Sequence, residues 1–293
     1  LTVIPWDKYE ETYTTALNSG EGPDVGYMYN EMFPTYIDAG AVEDMSSYVT
    51  DEDKKEYKYL SNGNMMDGQY GWPLVTGVPF VLYYNEDILN ALGEKAPETW
   101  DDFARICQEA TKDTDGDGKV DQYGFACGMN TSDIGAMQIL NAYYYSALWQ
   151  NGGQVYNDDL KSVSFADEAG KEAVTWLKGL TSYMNEDFMS LSWSDAFSNV
   201  FGAGKAAFGI TRSSQTDGTT FAETYPDLNW NFVTSLKNKD FGTFGATDCL
   251  TLMSACEDKD LAMDFIKYVT GSEFMTAYHA KCPGAALTES EPY

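Results

Sequence analysis

YGWPLVTGVPFVLYYN, residues 70–85, decides how the rest of the chain is read. Trp72 and Pro73 open it, Thr76, Gly77, Val78 and Pro79 follow with no regular period, and Phe80, Val81, Leu82, Tyr83 and Tyr84 form a β-rich run. Gly77 and Pro79 break the stretch in two, because glycine weakens a strand interior and proline removes a ladder donor. A strand broken by such a pivot and then resumed is expected where a chain leaves one sheet and enters another. A buried strand with a loop in front of it is the other reading that the stretch allows.

Upstream, residues 1–6 (LTVIPW) read as a short strand and residues 7–18 as a helix. Gly20 and Gly22 end that helix, Pro23 and Asp24 turn the chain, and residues 25–28 form a buried strand. Tyr29, Asn30 and Glu31 stand just past its carboxyl end, where ligands bind in open α/β sheets. Downstream, residues 86–92 and 97–112 (PETWDDFARICQEATK) read as helices. Thr99 caps the second, Asp102 follows three residues on, and Trp100, Phe103, Ile106 and Cys107 make its apolar face. Further helices are expected at 138–149, 167–180 and 259–270, with strands before 210, at 230–233 and at 250–254.

FGTFGA, residues 241–246, is a second crossing punctuated by glycine. Strands alternating with helices give an α/β fold, and two crossings give two lobes. The expected division is discontinuous. Residues 1–76 with 250–293 form one lobe, residues 80–244 form the other, and the hinges lie near 76–79 and 244–249.

The chain has 293 residues and a net charge of −28, with an isoelectric point near 4.1. Such a surface repels phosphate backbones and anionic headgroups, so no nucleic-acid partner is expected. The 21 Tyr and 7 Trp exceed what packing requires, and such side chains offer flat apolar faces with polar edges. Cys107, Cys127, Cys249, Cys256 and Cys282 show no metal-binding spacing, and their odd number leaves a thiol unpaired. No apolar run approaches the roughly 18 residues of a spanning helix.

DTDGDGKVD, residues 113–121, places Asp113, Asp115, Asp117 and Asp121 at positions 1, 3, 5 and 9 of a calcium loop. Gly118 takes the sharp turn at position 6, and the main-chain carbonyl of Lys119 takes position 7. Position 12, a glutamate in an EF-hand, is Gly124. Four carboxylates this close repel one another without a cation. A structural Ca2+ ion is expected here, and an acidic surface turn is the plain alternative.

Taken together, ALNSGEGPDV, AGAVEDM, YGWPLVTG, LYYNEDIL, PETWDDF, NGGQVYND, FGAGKAAFGI and SACEDKDLAMDFIKYVTG resemble a known family in order and spacing. That family is the extracellular solute-binding proteins of ATP-driven importers, in the branch that includes maltose-binding protein. The resemblance implies a two-lobe, type II periplasmic-binding-protein fold, each lobe a central sheet flanked by helices. It further implies a monomer that closes on a neutral mono- or oligosaccharide between its lobes and delivers it to an ABC permease. The location implied is extracellular, lipid-anchored or periplasmic. In that family a strand and helix precede LTVIPW and further helices follow PGAALTESEPY, so the chain is expected to be part of something longer.

Carried over residue by residue, the resemblance places solute contacts at Tyr29, Asn30 and Glu31, at Trp72, Thr76 and Gly77 around the first crossing, and at Tyr143 and Tyr144. Arg212, Ser213 and Ser214 follow a second-lobe strand, and Gly245 and Ala246 border the second crossing. The family's carboxylate near Thr76 is absent. A sugar needs aromatic platforms for its C–H faces and polar fans for its hydroxyls, and this set supplies both. A glycoside hydrolase would need two carboxylates at fixed separation, and no pair sits on matching strand ends. A serine or cysteine hydrolase would need a base beside its nucleophile; the single His279 lies in AYHAKCPG and reads as structural. A binder of peptides or polyamines is the remaining alternative, suited to the negative charge.

Overall fold

The computed structural model describes residues 1–5, 8–77, 79–131, 135–157, 162–213 and 220–281. It divides into unit 1, Leu1–Val78 with Gly245–Tyr293, and unit 2, Pro79–Phe244.

Unit 1 begins with helix α1 (Tyr9–Ser19), which ends at Gly20 with φ 72°, a left-handed cap that glycine adopts without strain. Strand β1 (Val25–Tyr29) leads through a 3-10 turn, Asn30–Met32, into α2 (Phe33–Asp38). Helix α3 (Asp53–Glu56), the short pair β2 (Asn64–Met65) and β3 (Gly68–Gln69), and strand β4 (Trp72–Gly77) complete its first segment.

Unit 2 opens with β5 (Phe80–Asn85). Helix α4 (Glu86–Leu92) follows, with the Asn85 side chain accepting from the Asp87 and Ile88 N–H groups. Helix α5 (Trp100–Ala110) starts on the reciprocal cap between Thr99 and Asp102. Strand β6 (Tyr123–Ala126), α6 (Gly135–Ile139) and α7 (Tyr145–Gln150) come next, the two helices being joined by a π-helical turn, Leu140–Tyr144. The unit ends with α8 (Glu168–Gly179), α9 (Trp193–Ala196), β7 (Ala206–Arg212), α10 (Thr220–Thr224) and β8 (Trp230–Val233). The chain then returns to unit 1 as β9 (Ala246–Leu252), α11 (Lys259–Thr270) and α12 (Ser272–Lys281).

The sheet of unit 1 runs β1-β9-β4, with β9 antiparallel to both neighbours, so β1 and β4 point the same way. Its core gathers Met45, Tyr57, Trp72, Leu250, Leu252, Met263 and Ile266. Beside it Lys267 reaches Asp53 at 2.7 Å and lies 5.1 Å from the centroid of the Trp72 ring. The sheet of unit 2 runs β6-β7-β5-β8; β6 and β7 are parallel and the other pairs antiparallel. Along β5, Phe80 and Leu82 enter one core while Val81 and Tyr83 enter the other. Burial on both faces explains why this strand is an unbroken apolar run.

Residues 1–5 are not a strand, contrary to the reading of LTVIPW, and Leu1 and Val3 are exposed. β-propensity needs a neighbouring edge to act upon. Among the described residues, the outer edge of β1 is met at Tyr27 by side chains of α1: the Tyr9 and Tyr13 hydroxyls both donate to its carbonyl, and its N–H donates to Tyr13. Trp6 and Asp7 lie outside the described residues.

Candidate functional site

In unit 1 the carboxyl ends of β1 and β4 meet the amino end of β9, so Asn30, Thr76, Gly77 and Thr247 share one end of the sheet. Thr76 pairs with Thr247 in register. The Thr247 hydroxyl accepts from Asn62 Nδ2 at 3.1 Å. Asn62 and Thr247 were not among the expected contacts, since a polar residue in a turn and one in a strand carry no signal until the register joins them. Asn30 Oδ1 and Thr76 Oγ1 are buried with no hydrogen-bond partner among the described residues. Leaving such an atom unsatisfied costs about 1–3 kcal/mol. Glu31 is exposed on the turn that follows. Gly77 has φ 108°, where a side chain is strained, and a Cβ on Gly245 would come 3.3 Å from the Gly77 carbonyl oxygen.

Two expected platforms belong to the structure of unit 1 instead. Trp72 is 0% exposed, with the Tyr57 ring edge-on at 5.3 Å. It is the first residue of β4, and that position turns it into the core rather than toward the strand end. Tyr29 is buried, its ring 5.9 Å from Tyr9 and its hydroxyl donating to Glu10 at 2.7 Å. Burial, then the Glu10 carboxylate, push its phenol well above the usual range.

In unit 2 the start of β5 and the ends of β6 and β7 share one end of the sheet, where Phe80 stands opposite Arg212. Arg212 Nη2 donates to Gln138 Oε1 at 3.2 Å, and the guanidinium carbon lies 5.4 Å from the Phe80 ring centroid. Trp193 meets Phe80 edge-on at 5.6 Å. The Ser213 N–H donates to the Pro79 carbonyl at 2.9 Å, and Ser214 lies outside the described residues.

Tyr143, expected as a platform, is a core residue: it packs edge-on against Phe125 and its hydroxyl accepts from the Gly128 N–H. Burial pushes its phenol far up. Tyr144 is half-buried and ties its hydroxyl to the Phe165 carbonyl. Tyr145 is the one that joins a platform. Its ring is inclined 26° to Trp149 and 26° to Phe244, and Trp149 and Phe244 are within 9° of parallel, with centroids 5.8–6.3 Å apart. All three are half-buried. The π-helical turn adds a residue to the helix period, and such turns recur at functional sites. Phe244 is anchored by the Phe80 N–H donating to its carbonyl at 3.0 Å.

In the acidic loop, one oxygen from each of Asp113, Asp115 and Asp117 lies within 4.8 Å of the others. The loop is wound by Asp113 accepting from the Gly116 and Gly118 N–H groups and Asp117 from the Lys119 N–H; these glycines have φ 81° and 92°. Bonds from Gly118 and Gly116 hold the Asp113 carboxyl below its usual range. Asp121 stands apart from the three: both its oxygens take the Thr114 hydroxyl and one takes the Thr114 N–H. Gly124 leaves no room for a ligand, since a Cβ there would fall 2.3 Å from the Cys107 carbonyl oxygen. Cys107, Cys127, Cys249 and Cys256 are buried free thiols; Cys282 and the side chain of His279 lie outside the described residues.

The family described as bacterial extracellular solute-binding proteins matches residues 1–289. A binding protein of Brucella abortus is 25% identical over 282 residues, covering 91% of this chain, and the chain spans 63% of that relative's length. Among solved structures, a solute-binding protein of an ABC transporter from Thermotoga lettingae, bound with α-D-tagatose, superposes with a TM-score of 0.73 at 18% identity, covering 94% of this chain and 69% of its own. A substrate-binding protein from Listeria monocytogenes in complex with cycloalternan gives 0.72 at 20% identity, covering 94% and 68%. The fold is therefore the two-lobe α/β fold of these proteins.

Proposed function

The chain belongs to the bacterial extracellular solute-binding proteins, and on that premise we propose that it binds a mono- or oligosaccharide, with the strand-end groups of unit 2 among its contacts, and presents it to an ABC permease. The observation that carries the carbohydrate reading is the half-buried set of near-parallel rings Tyr145, Phe244 and Trp149. Flat rings match the C–H faces of a sugar. The protein binds without turnover, works outside the cytoplasm, free or lipid-anchored, and acts as a monomer. Among the described residues no helix is long and apolar enough to cross a membrane.

A thermal-shift screen against carbohydrates tests this, because a ligand of the folded state raises the melting temperature. Saccharides are expected to raise it and to be recovered unchanged. A rise with polyamines or peptides alone would transfer the site to the rival class, and released hydrolysis products would make the chain a glycoside hydrolase.

For the loop at 113–121 the proposal is a structural Ca2+ ion held by Asp113, Asp115 and Asp117. The support is the convergence of their oxygens within 4.8 Å. Lys119, through its carbonyl, and Asp121 complete the expected set, with Asp121 released from Thr114.

A further inference from the structure

Three basic side chains among the described residues are not exposed: Lys259, Lys267 and Arg212. Lys259 is paired with Glu43 at 2.7 Å and Lys267 with Asp53 at 2.7 Å. Arg212 has no carboxylate among the described residues; its partners are the neutral amide of Gln138 and the face of Phe80. In a chain with 46 acidic residues and 18 basic ones, a half-buried cation without a carboxylate is an exception. The other arginine, Arg105, is exposed and bonds both oxygens of Glu94.

Position sharpens the contrast. Arg212 ends β7 opposite Phe80, at the sheet end that carries the aromatic platform. A guanidinium has five N–H donors in a planar fork suited to two oxygens of one anion, and the Gln138 bond uses a single donor. A solute that covers Arg212 strips water from that charge. Removing solvent from an unpaired cation is costly unless a countercharge arrives with the solute. A hydroxyl offers an acceptor but no charge.

We propose that Arg212 is an oxyanion subsite, so that the solute is an acidic saccharide carrying a carboxylate or a phosphate, in place of the neutral sugar expected from the sequence. This rests on the carbohydrate reading and narrows it. The chain's overall charge of −28 does not oppose it at contact, because repulsion from distant surface charges is screened beyond about 8 Å at physiological salt.

The test is titration calorimetry of the protein with three matched series: glucose, galactose and their oligomers; glucuronate, galacturonate and their oligomers; and the corresponding sugar 6-phosphates. An acidic member is expected to bind at least about tenfold more tightly than its neutral counterpart, and the advantage should shrink as salt is raised. In Arg212→Gln the ratio of acidic to neutral affinity should collapse toward one, and Arg212→Lys should keep part of it. Preference for the uronate identifies a carboxylate, and preference for the 6-phosphate a phosphate. Neutral sugars binding as tightly as their acidic counterparts would overturn the subsite and leave the carbohydrate reading standing. No binding in any series would overturn both.

Discussion

Tyr13 meets the backbone of Tyr27 twice: its hydroxyl donates to the Tyr27 carbonyl at 3.0 Å and accepts from the Tyr27 N–H at 2.9 Å. A side chain of α1 thereby takes the place of a strand on the outer edge of β1. Tyr13→Phe keeps the ring and removes both bonds, leaving a backbone donor unpaired in a part-buried place. The expected loss is about 1–3 kcal/mol of folding stability. Urea denaturation reads it, and an unchanged midpoint would mean that water serves that edge equally well.

A second relationship in unit 1 responds to pH. Burial raises the pKa of the Asp53 carboxyl, but bonds from Lys267 and Thr50 outweigh it, and the net displacement is downward. A carboxyl depressed in the folded state contributes stability that is present above its unfolded pKa, about 3.9, and lost as pH falls through the lower folded value. Wild type should therefore lose stability on acidification below about pH 4, and Asp53→Asn should be less stable at neutral pH but lose less over that range. Parallel stability profiles for the two proteins between pH 6 and pH 3 would remove this pair from the acid response.

Helices α4 and α11 were legible because their sequences carry their own ends: Asn85 and Gly93 bracket the first, and Asp258 caps the second. The Thr99 and Asp102 cap was readable for the same reason. The site was legible only in part, since strand ends can be found from periodicity but side-chain directions there depend on distant segments. Trp72 looked like a platform beside a pivot, yet Tyr57 covers it from another part of the chain. Tyr143 and Tyr144 came from the family resemblance, and the π-helical turn ending at Tyr144 gives a local helix period that a sequence of adjacent tyrosines does not announce. Arg212 was identified, but that no carboxylate among the described residues pairs with it could be seen only once β7 was placed beside β5.

The loop at 113–121 gives a prediction about metal. If Asp113, Asp115 and Asp117 hold Ca2+, chelator should lower the melting temperature and added millimolar calcium should restore it, because the ion binds the folded loop. Asp115→Asn should weaken the response, since it removes one charge from a converging set. Solute affinity should stay close to its value with calcium. Superposable melting curves in chelator and in calcium would remove the ion from the account.

The last prediction separates core aromatic residues from solute-facing ones. Trp72 is fully buried among Tyr57, Leu250 and Ile266, so Trp72→Ala should cost about 3–5 kcal/mol of stability. Any fall in affinity there should track unfolding and vanish when binding is referred to the folded fraction. Trp149 is half-buried and lies within 9° of parallel to Phe244. Trp149→Ala should cost less stability but remove one face of the platform, weakening the solute by about 1–3 kcal/mol, or roughly 5- to 150-fold. Calorimetry with the saccharide found by the screen, beside urea denaturation of both variants, reads the two quantities independently. Equal affinities for Trp149→Ala and wild type would take the Tyr145, Phe244 and Trp149 rings out of the solute site.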